Sequence, residues 1–230
     1  MRIVIFGANG ATGRLLTRKV LDAGHTAVAV TRHPDEFPLA APALTVVGAD
    51  VRDPAAVARA VDGADAVLSS LGVTFTLEPV DTYSVGVANI VEAMHKTGVS
   101  RLAVVSSTAI DDYPGRTATP FALRVVQPVI SRIFGKTLYA DMRRMERIVA
   151  DSGLDWTIVR PSGLFDLPNV TEYVAGQGDP VGAFTSRTDL ADYLLKLAES
   201  PAPRATVTIS TTVDTPSMWQ LLRREAFKSA

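Results

Sequence analysis

The residues best equipped for chemistry in this chain come first: Gly7, Gly10 and Gly13, spaced three apart in "FGANGATGR" directly after the apolar run Arg2–Phe6. A strand that runs into closely spaced glycines and then into a helix is the arrangement that holds a dinucleotide pyrophosphate. The backbone turns tightly and comes near the ligand, and the first N–H groups of the helix point at the phosphates. Arg14 opens that helix, where a cation opposes the helix dipole unless an anion binds nearby. A phosphate would remove that penalty. The second group is Thr31-Arg32, at the end of the next apolar run, with His33 beside it. A site that prefers NAD usually carries an Asp or Glu there, about 20 residues past the glycines, to bind the ribose hydroxyls. A guanidinium suits a phosphate dianion better than a diol, so NADP(H) is the expected cofactor.

These groups need elements to position them. Short apolar runs at Arg2–Phe6, Ala27–Thr31, Leu44–Val47, Ala66–Leu71, Arg101–Ser106 and Trp156–Val159 read as strands. Between them, Thr12–Ala23, Pro54–Val61, Thr82–Thr97 and a stretch ending at Met142–Ala150 carry apolar residues near helical period. Asp53-Pro54 supplies an N-cap followed by proline at the first helical position. Gly24, Gly98 and Gly153 follow helical patterns as C-terminal caps do. Near-continuous apolar strands alternating with helices predict an α/β fold, a doubly wound parallel sheet covered on both faces. After Pro161 the rhythm breaks. The stretch 164–182 is rich in Gly, Pro, Asn and Asp and reads as a loop or small substructure. Ser186-Arg187-Thr188-Asp189 then reads as a capping box opening a helix over Leu190–Glu199. Ala205–Ser210 reads as a last strand and Pro216–Phe227 as a closing helix. With no repeat, low-complexity tract or long linker, residues 1–230 are expected to form one domain, with 161–230 contributing a variable substrate region.

Composition narrows the function. The 230 residues are 47% hydrophobic and 20% charged, with a net charge of −1. That balance gives no electrostatic reason to expect nucleic acid or an anionic membrane as partner. No apolar run approaches the ~18 residues that span a bilayer, and Met1–Phe6 does not read as a signal peptide, so a cytoplasmic location is expected. The absence of cysteine excludes thiolate catalysis and disulfides. His25, His33 and His95 stand far apart without metal-type spacing, and no metal is expected.

The segments "GANGATG", "GADVRD", "AVVSSTA" and "SGLDWTIVRPSGL", in this order, resemble the atypical short-chain dehydrogenase/reductases of the NmrA-like, NAD(P)-binding group. Within that group the chain is most similar to the biliverdin-IXβ reductases, also called flavin reductases. The resemblance covers roughly residues 1–200. It implies a Rossmann fold with a small C-terminal substrate region. It places Gly7, Asn9, Gly10, Ala11, Thr12, Gly13 and Arg14 at the pyrophosphate and Arg32 at the adenosine 2′-phosphate. Asp50 and Val51 fall at the adenine, and Leu71 and Gly72 beside the nicotinamide ribose. Ser106 and Ser107 fall where the group's active-site serine sits, with Ser107 the better match. Pro161, Ser162 and Gly163 fall near the carboxamide.

One feature departs from the wider family. Dehydrogenases that act on alcohols use a tyrosine as acid/base and a lysine one helical turn later. Here Tyr139 and Arg143 have that spacing and share a helical face. Arginine is a planar fork rather than a compact ammonium, and Met142 occupies the position that the "SGLDW" register assigns to lysine. Tyr139 is therefore either a catalytic acid or a partly buried helical aromatic. Carbonyl reduction needs a proton donor at the oxygen as hydride arrives. A flavin-, quinone- or tetrapyrrole-like acceptor spreads the charge and can take its proton from solvent. The expected activity is thus NADPH-dependent reduction of a planar, conjugated small molecule. Gly72 and Gly163 are expected to leave room for it over the nicotinamide. A non-catalytic NADP redox sensor is the alternative, and a nucleotide-sugar epimerase or dehydratase the second. Asp111-Asp112 read as an acidic loop facing water and Glu146 as a solvated helix residue or a partner of Arg143. The apolar stretch Thr119–Lys136, interrupted by Pro128, reads as a cover, a substrate contact or an oligomer contact; no oligomeric state follows from the sequence.

Overall fold

The computed structural model describes residues 1–74, 76, 78–111, 113, 136–200 and 204–216. Strand and helix alternate over the first part: β1 Arg2–Phe6, α1 Ala11–Asp22, β2 Thr26–Thr31, β3 Leu44–Gly48, α2 Pro54–Val61, β4 Ala66–Ser69, α3 Thr82–Thr97, β5 Arg101–Val105, α4 Lys136–Ala150 and β6 Asp155–Pro161. The C-terminal part adds β7 Gly163–Phe165, β8 Tyr173–Gly176, β9 Phe184–Ser186, α5 Arg187–Glu199 and β10 Ala205–Thr211.

The main sheet runs β3-β2-β1-β4-β5-β6-β10-β8, and β7 pairs with β9 in a small second sheet. Strands β1 to β6 and β10 are parallel, while β8 joins the edge antiparallel to β10. The order 3-2-1-4-5-6 is that of the doubly wound dinucleotide fold, and it reverses between β1 and β4, where a crevice opens outside the carboxyl ends. The register levels those ends. Phe6 pairs with Val30 on one side and Ser69 on the other, Ser69 with Val104, and Val105 with Val159. Gly7, Thr31, Ser70 and Ser106 therefore leave the sheet along one rim.

Side-chain alternation along each strand sorts the core into two layers. Val4, Phe6, Val67, Leu102, Val104 and Ile158 face α2, α3 and α4, whereas Ile3, Ile5, Leu68, Val159 and Ile209 face α1 and α5. Burial on both faces is why the strands read as continuous apolar runs rather than alternating ones.

The expected caps form, one of them in altered shape. The Asp53 carboxylate accepts from the Ala55 and Ala56 N–H groups, and Ser186 Oγ accepts from those of Thr188 and Asp189. Helix α5 starts at Arg187, ahead of the apolar pattern that marks it in sequence. Asp189 does not reach back to the Ser186 N–H. Its carboxylate accepts from Thr211 Oγ1 at 2.6 Å, and that oxygen accepts the Ser186 N–H at 2.8 Å, so the box is relayed through β10. The segment 164–182 contains β8, which sequence reading misses because four residues among turn formers carry no period. Most of Thr119–Lys136 and most of Pro216–Phe227 lie outside the described residues.

Candidate functional site

The glycine loop is packed as tightly as its composition allows. Gly7 has φ +74°, and a Cβ there would lie 2.6 Å from the Ser70 carbonyl oxygen and 2.9 Å from the Leu71 nitrogen. The chain leaving β4 thus rests directly on the loop. A Cβ on Gly13 would strike the Gly7 carbonyl oxygen and come within 2.7 Å of Ala8 Cα, so α1 starts closer to β1 than any other residue permits. Gly10 sits at the N-cap of α1, which has no side-chain cap and no acid in its first turn. Its leading N–H groups are left for an anion. Ala11 and Thr12 follow in that turn, and Arg14 Nε donates to Asn9 Oδ1 at 2.9 Å, which holds the guanidinium over the loop.

On the adenosine side, Thr31 is buried and its Oγ1 accepts the His33 N–H at 3.2 Å, while Arg32 is exposed. Asp50 is exposed and its Oδ1 accepts the Arg52 N–H at 2.9 Å. Val51 is core: its side chain fills the space a Cβ on Gly86 would need, and its carbonyl accepts from Asn89 Nδ2 at 2.9 Å.

On the opposite side of the crevice, Leu71 is half-buried and Gly72 faces open space. Ser106 continues β5 through its N–H, which donates to Val159 O at 2.8 Å. Its Oγ is the one buried side-chain nitrogen or oxygen without a hydrogen-bond partner among the described residues. Leaving a buried hydroxyl unpaired costs about 1–3 kcal/mol, so an unmet hydroxyl on this rim points to a ligand. Ser107 Oγ accepts the Ala109 N–H at 3.1 Å as the cap of the short turn Thr108–Ile110, and its own proton is free for a second partner.

The last strand end differs from the expectation. Pro161 and Ser162 are buried; the Ser162 N–H donates to Thr185 Oγ1 at 2.9 Å and its hydroxyl to Gly182 O at 2.8 Å. Ser162 is committed to holding the 182–185 segment over the sheet. A Cβ on Gly163 would lie 3.2 Å from the Phe184 ring, itself edge-to-face with Phe165 at 6.2 Å. The room at Gly163 is therefore taken by an aromatic side chain of the protein, and of the two glycines only Gly72 leaves space open.

Helix α4 turns Leu138, Met142, Met145 and Val149 into the core, and Tyr139 is half-buried at the edge of that face. Arg143 is exposed and its guanidinium donates to Ile110 O. Glu146 is neither solvated nor the partner of Arg143. It is buried, and its two oxygens receive Arg160 Nε at 2.9 Å and Nη2 at 2.5 Å. Arg160 Nη1 also donates to Asp111 Oδ2 at 2.6 Å and to the Tyr113 hydroxyl at 2.8 Å. Burial opposes charge on Arg160, but the Glu146 carboxylate outweighs it and raises its pKa further.

Two other residues escape sequence reading. Asp141 is fully buried and accepts the Tyr83 N–H at 2.8 Å and the Ser84 N–H at 3.3 Å, capping α3 from another helix. Its signal was present: Asp141 stands three after Leu138 and four before Met145, an acid on an apolar face that must find donors. Tyr83, 3% exposed, accepts the Val73 N–H at 3.1 Å on its phenol oxygen. Burial pushes that phenol's pKa up.

The uncapped helix start, the cradle that Cβ atoms at Gly7 and Gly13 would fill, and the unmet Ser106 hydroxyl fit a dinucleotide. Among the described residues no cluster of three or more His, Asp or Glu could hold a metal, and no helix is long and apolar enough to cross a membrane.

A family model described as NAD(P)H-binding matches residues 7–201. An uncharacterized protein of Mycobacterium tuberculosis is 32% identical over 166 residues, 72% of this chain and 15% of its own length. The present chain thus spans a small part of that relative. A short-chain dehydrogenase/reductase of Veillonella parvula, solved in complex with NADP, superimposes with a TM-score of 0.75 at 20% identity, covering 94% of this chain and 99% of that one. The anaerobilin reductase ChuY of Escherichia coli O157:H7 does so with a TM-score of 0.70 at 22% identity, covering 94% and 100%. At these identities the structural likeness shows the fold.

Proposed function

The chain belongs to the NAD(P)H-binding family, and from that premise we propose that it is an NADPH-dependent reductase of a planar, conjugated acceptor such as a flavin or quinone. The observation that carries this reading is the pair of serines on one rim: Ser106 with an unmet buried hydroxyl, and Ser107 with a free proton beside it. The bound cofactor would supply a hydride. The α1 N-terminus, with Arg14 over the loop, would hold its pyrophosphate, and Arg32 its 2′-phosphate. Ser106 would receive a hydrogen bond from, or donate one to, the carboxamide. Ser107 would orient the acceptor, and such positioning can supply several kcal/mol of the barrier. The open space at Gly72 would admit a flat ring. The Arg143 guanidinium donates to the Ile110 carbonyl, and Met142, at the position that the "SGLDW" register assigns to lysine, is buried in the core. That supports an acceptor whose proton comes from water.

The test is anaerobic stopped-flow absorbance at the NADPH band with FMN, FAD and a quinone. Oxidation should depend on added acceptor, and Ser107→Ala should lower kcat at least ten-fold with little change in NADPH affinity. If NADPH binds and no acceptor is reduced, the reductase reading fails and a redox sensor that signals to another protein takes its place.

A further inference from the structure

The chain that leaves β4 toward the cofactor crevice is braced from two directions. On one side Ser70 Oγ donates to Phe6 O at 3.2 Å, and the Ser70 carbonyl fills the space that a Cβ on Gly7 would need. On the other side, three residues later, the Val73 N–H donates to the phenol oxygen of Tyr83 at 3.1 Å. Between the two braces lie Leu71 and Gly72, a turn with open space beside it.

Tyr83 is itself held. Its ring is packed in the core with Val87 and Ile90, and its own N–H donates to the fully buried Asp141. Asp141 also accepts from the Ser84 hydroxyl and, at 3.1 Å, from Arg144 Nη2. The residue at the N-cap of α3, Asp81, does not cap the helix; its carboxylate is turned to Arg52 at 2.6 Å. The first turn of α3 is thus anchored by α4, and Tyr83 carries that anchorage to the turn after β4.

We propose that Tyr83 is a positioning residue for the nicotinamide half of the dinucleotide, its phenol oxygen fixing the Leu71–Gly72 turn against which that half lies. This rests on the dinucleotide reading of the site. It is independent of whether the protein is a reductase or a sensor. A displaced turn would misplace the nicotinamide riboside and leave the adenosine half, held by the glycine loop and Arg32, undisturbed.

The experiment compares two ligands on wild type and Tyr83→Phe by calorimetric titration: NADP+ and adenosine 2′,5′-bisphosphate, which lacks the nicotinamide half. Phenylalanine keeps the ring in the core and the backbone bond to Asp141. Losing one hydrogen bond should weaken NADP+ about three- to ten-fold, with the bisphosphate unchanged. Val73→Pro, which deletes the same bond from its donor side at a residue on the margin of the core and keeps Tyr83 in place, should reproduce the selective loss if the phenylalanine variant folds poorly. Equal weakening of both ligands, or of neither, overturns the positioning role. A wild-type protein that binds neither ligand would instead overturn the dinucleotide reading.

Discussion

Arg32 stands at the carboxyl end of β2 with its side chain exposed, and no ion pair occupies it among the described residues. Arg14, Arg52 and Arg143, by contrast, each donate to a partner in the chain, Asn9, Asp81 and Ile110. A free guanidinium at the place where ribose-binding acids usually sit is matched to a phosphate dianion. Each charge-assisted bond of this kind is worth about 1.5–3 kcal/mol. Arg32→Ala should then weaken NADPH roughly ten- to a hundred-fold and leave NADH nearly unchanged in a fluorescence titration. Equal losses would mean that Arg32 is a solvated surface charge. The same accounting applies to the serines, whose roles differ by exposure: Ser106 is buried without a partner and Ser107 is half-buried with one.

Among elements, the docking of α4 on β6 depends on a polar contact inside an otherwise apolar interface. Arg160 and Glu146 have side chains 14% and 11% exposed. Removing one partner leaves a buried charge unmatched, and replacing both with apolar residues of similar size is much less harmful. Glu146→Gln should therefore destabilise by about 2–3 kcal/mol in chemical denaturation. Arg160→Met should cost a similar amount, and Arg160→Met with Glu146→Leu less than the sum. Strict additivity would show that the pair contributes nothing. Because Arg160 also holds Asp111 and Tyr113, this contact anchors the chain that follows Ser107, linking helix packing to the geometry of the site.

At the scale of the molecule, the C-terminal part joins the Rossmann sheet through β10 and the core face of α5, and buried hydroxyls and one carboxylate tie segment 171–186 to them. Asp189 is fully buried and accepts the Thr171 N–H at 2.7 Å, Thr171 Oγ1 at 2.9 Å and Thr211 Oγ1 at 2.6 Å. It ties the entry to β8, the start of α5 and the end of β10 together. Asp189→Asn retains the shape but removes the charge and one acceptor, forcing the Thr171 and Thr211 hydroxyls to turn from donating to accepting, at a cost of about 1–3 kcal/mol. Amide hydrogen exchange should rise across residues 171–186, while β1 and β4 stay protected, because the bonds lost hold that segment and none of the first strands. A uniform rise in exchange would mean that segment and sheet unfold as one unit.

The sequence by itself determined the doubly wound sheet, the glycine loop and the rim residues, because each is a local or periodic signal. Strands buried on both faces must be apolar throughout, and a loop touching its own helix and a neighbouring strand must be glycine at Gly7 and Gly13. Arg32 was legible for the same reason: its place follows from the end of one strand. What the tertiary structure decided are pairings between residues far apart in the chain. That Glu146 meets Arg160, that Asp141 caps α3, and that Phe184 fills the space over Gly163 depend on which elements lie side by side. Strand β8 belongs here too, since four residues become a strand only because β10 offers a free edge. Ser106 joins both classes. Its type and position are sequence, but that its oxygen is buried without a partner in the chain is a property of the fold, because packing decides which groups come within reach of it.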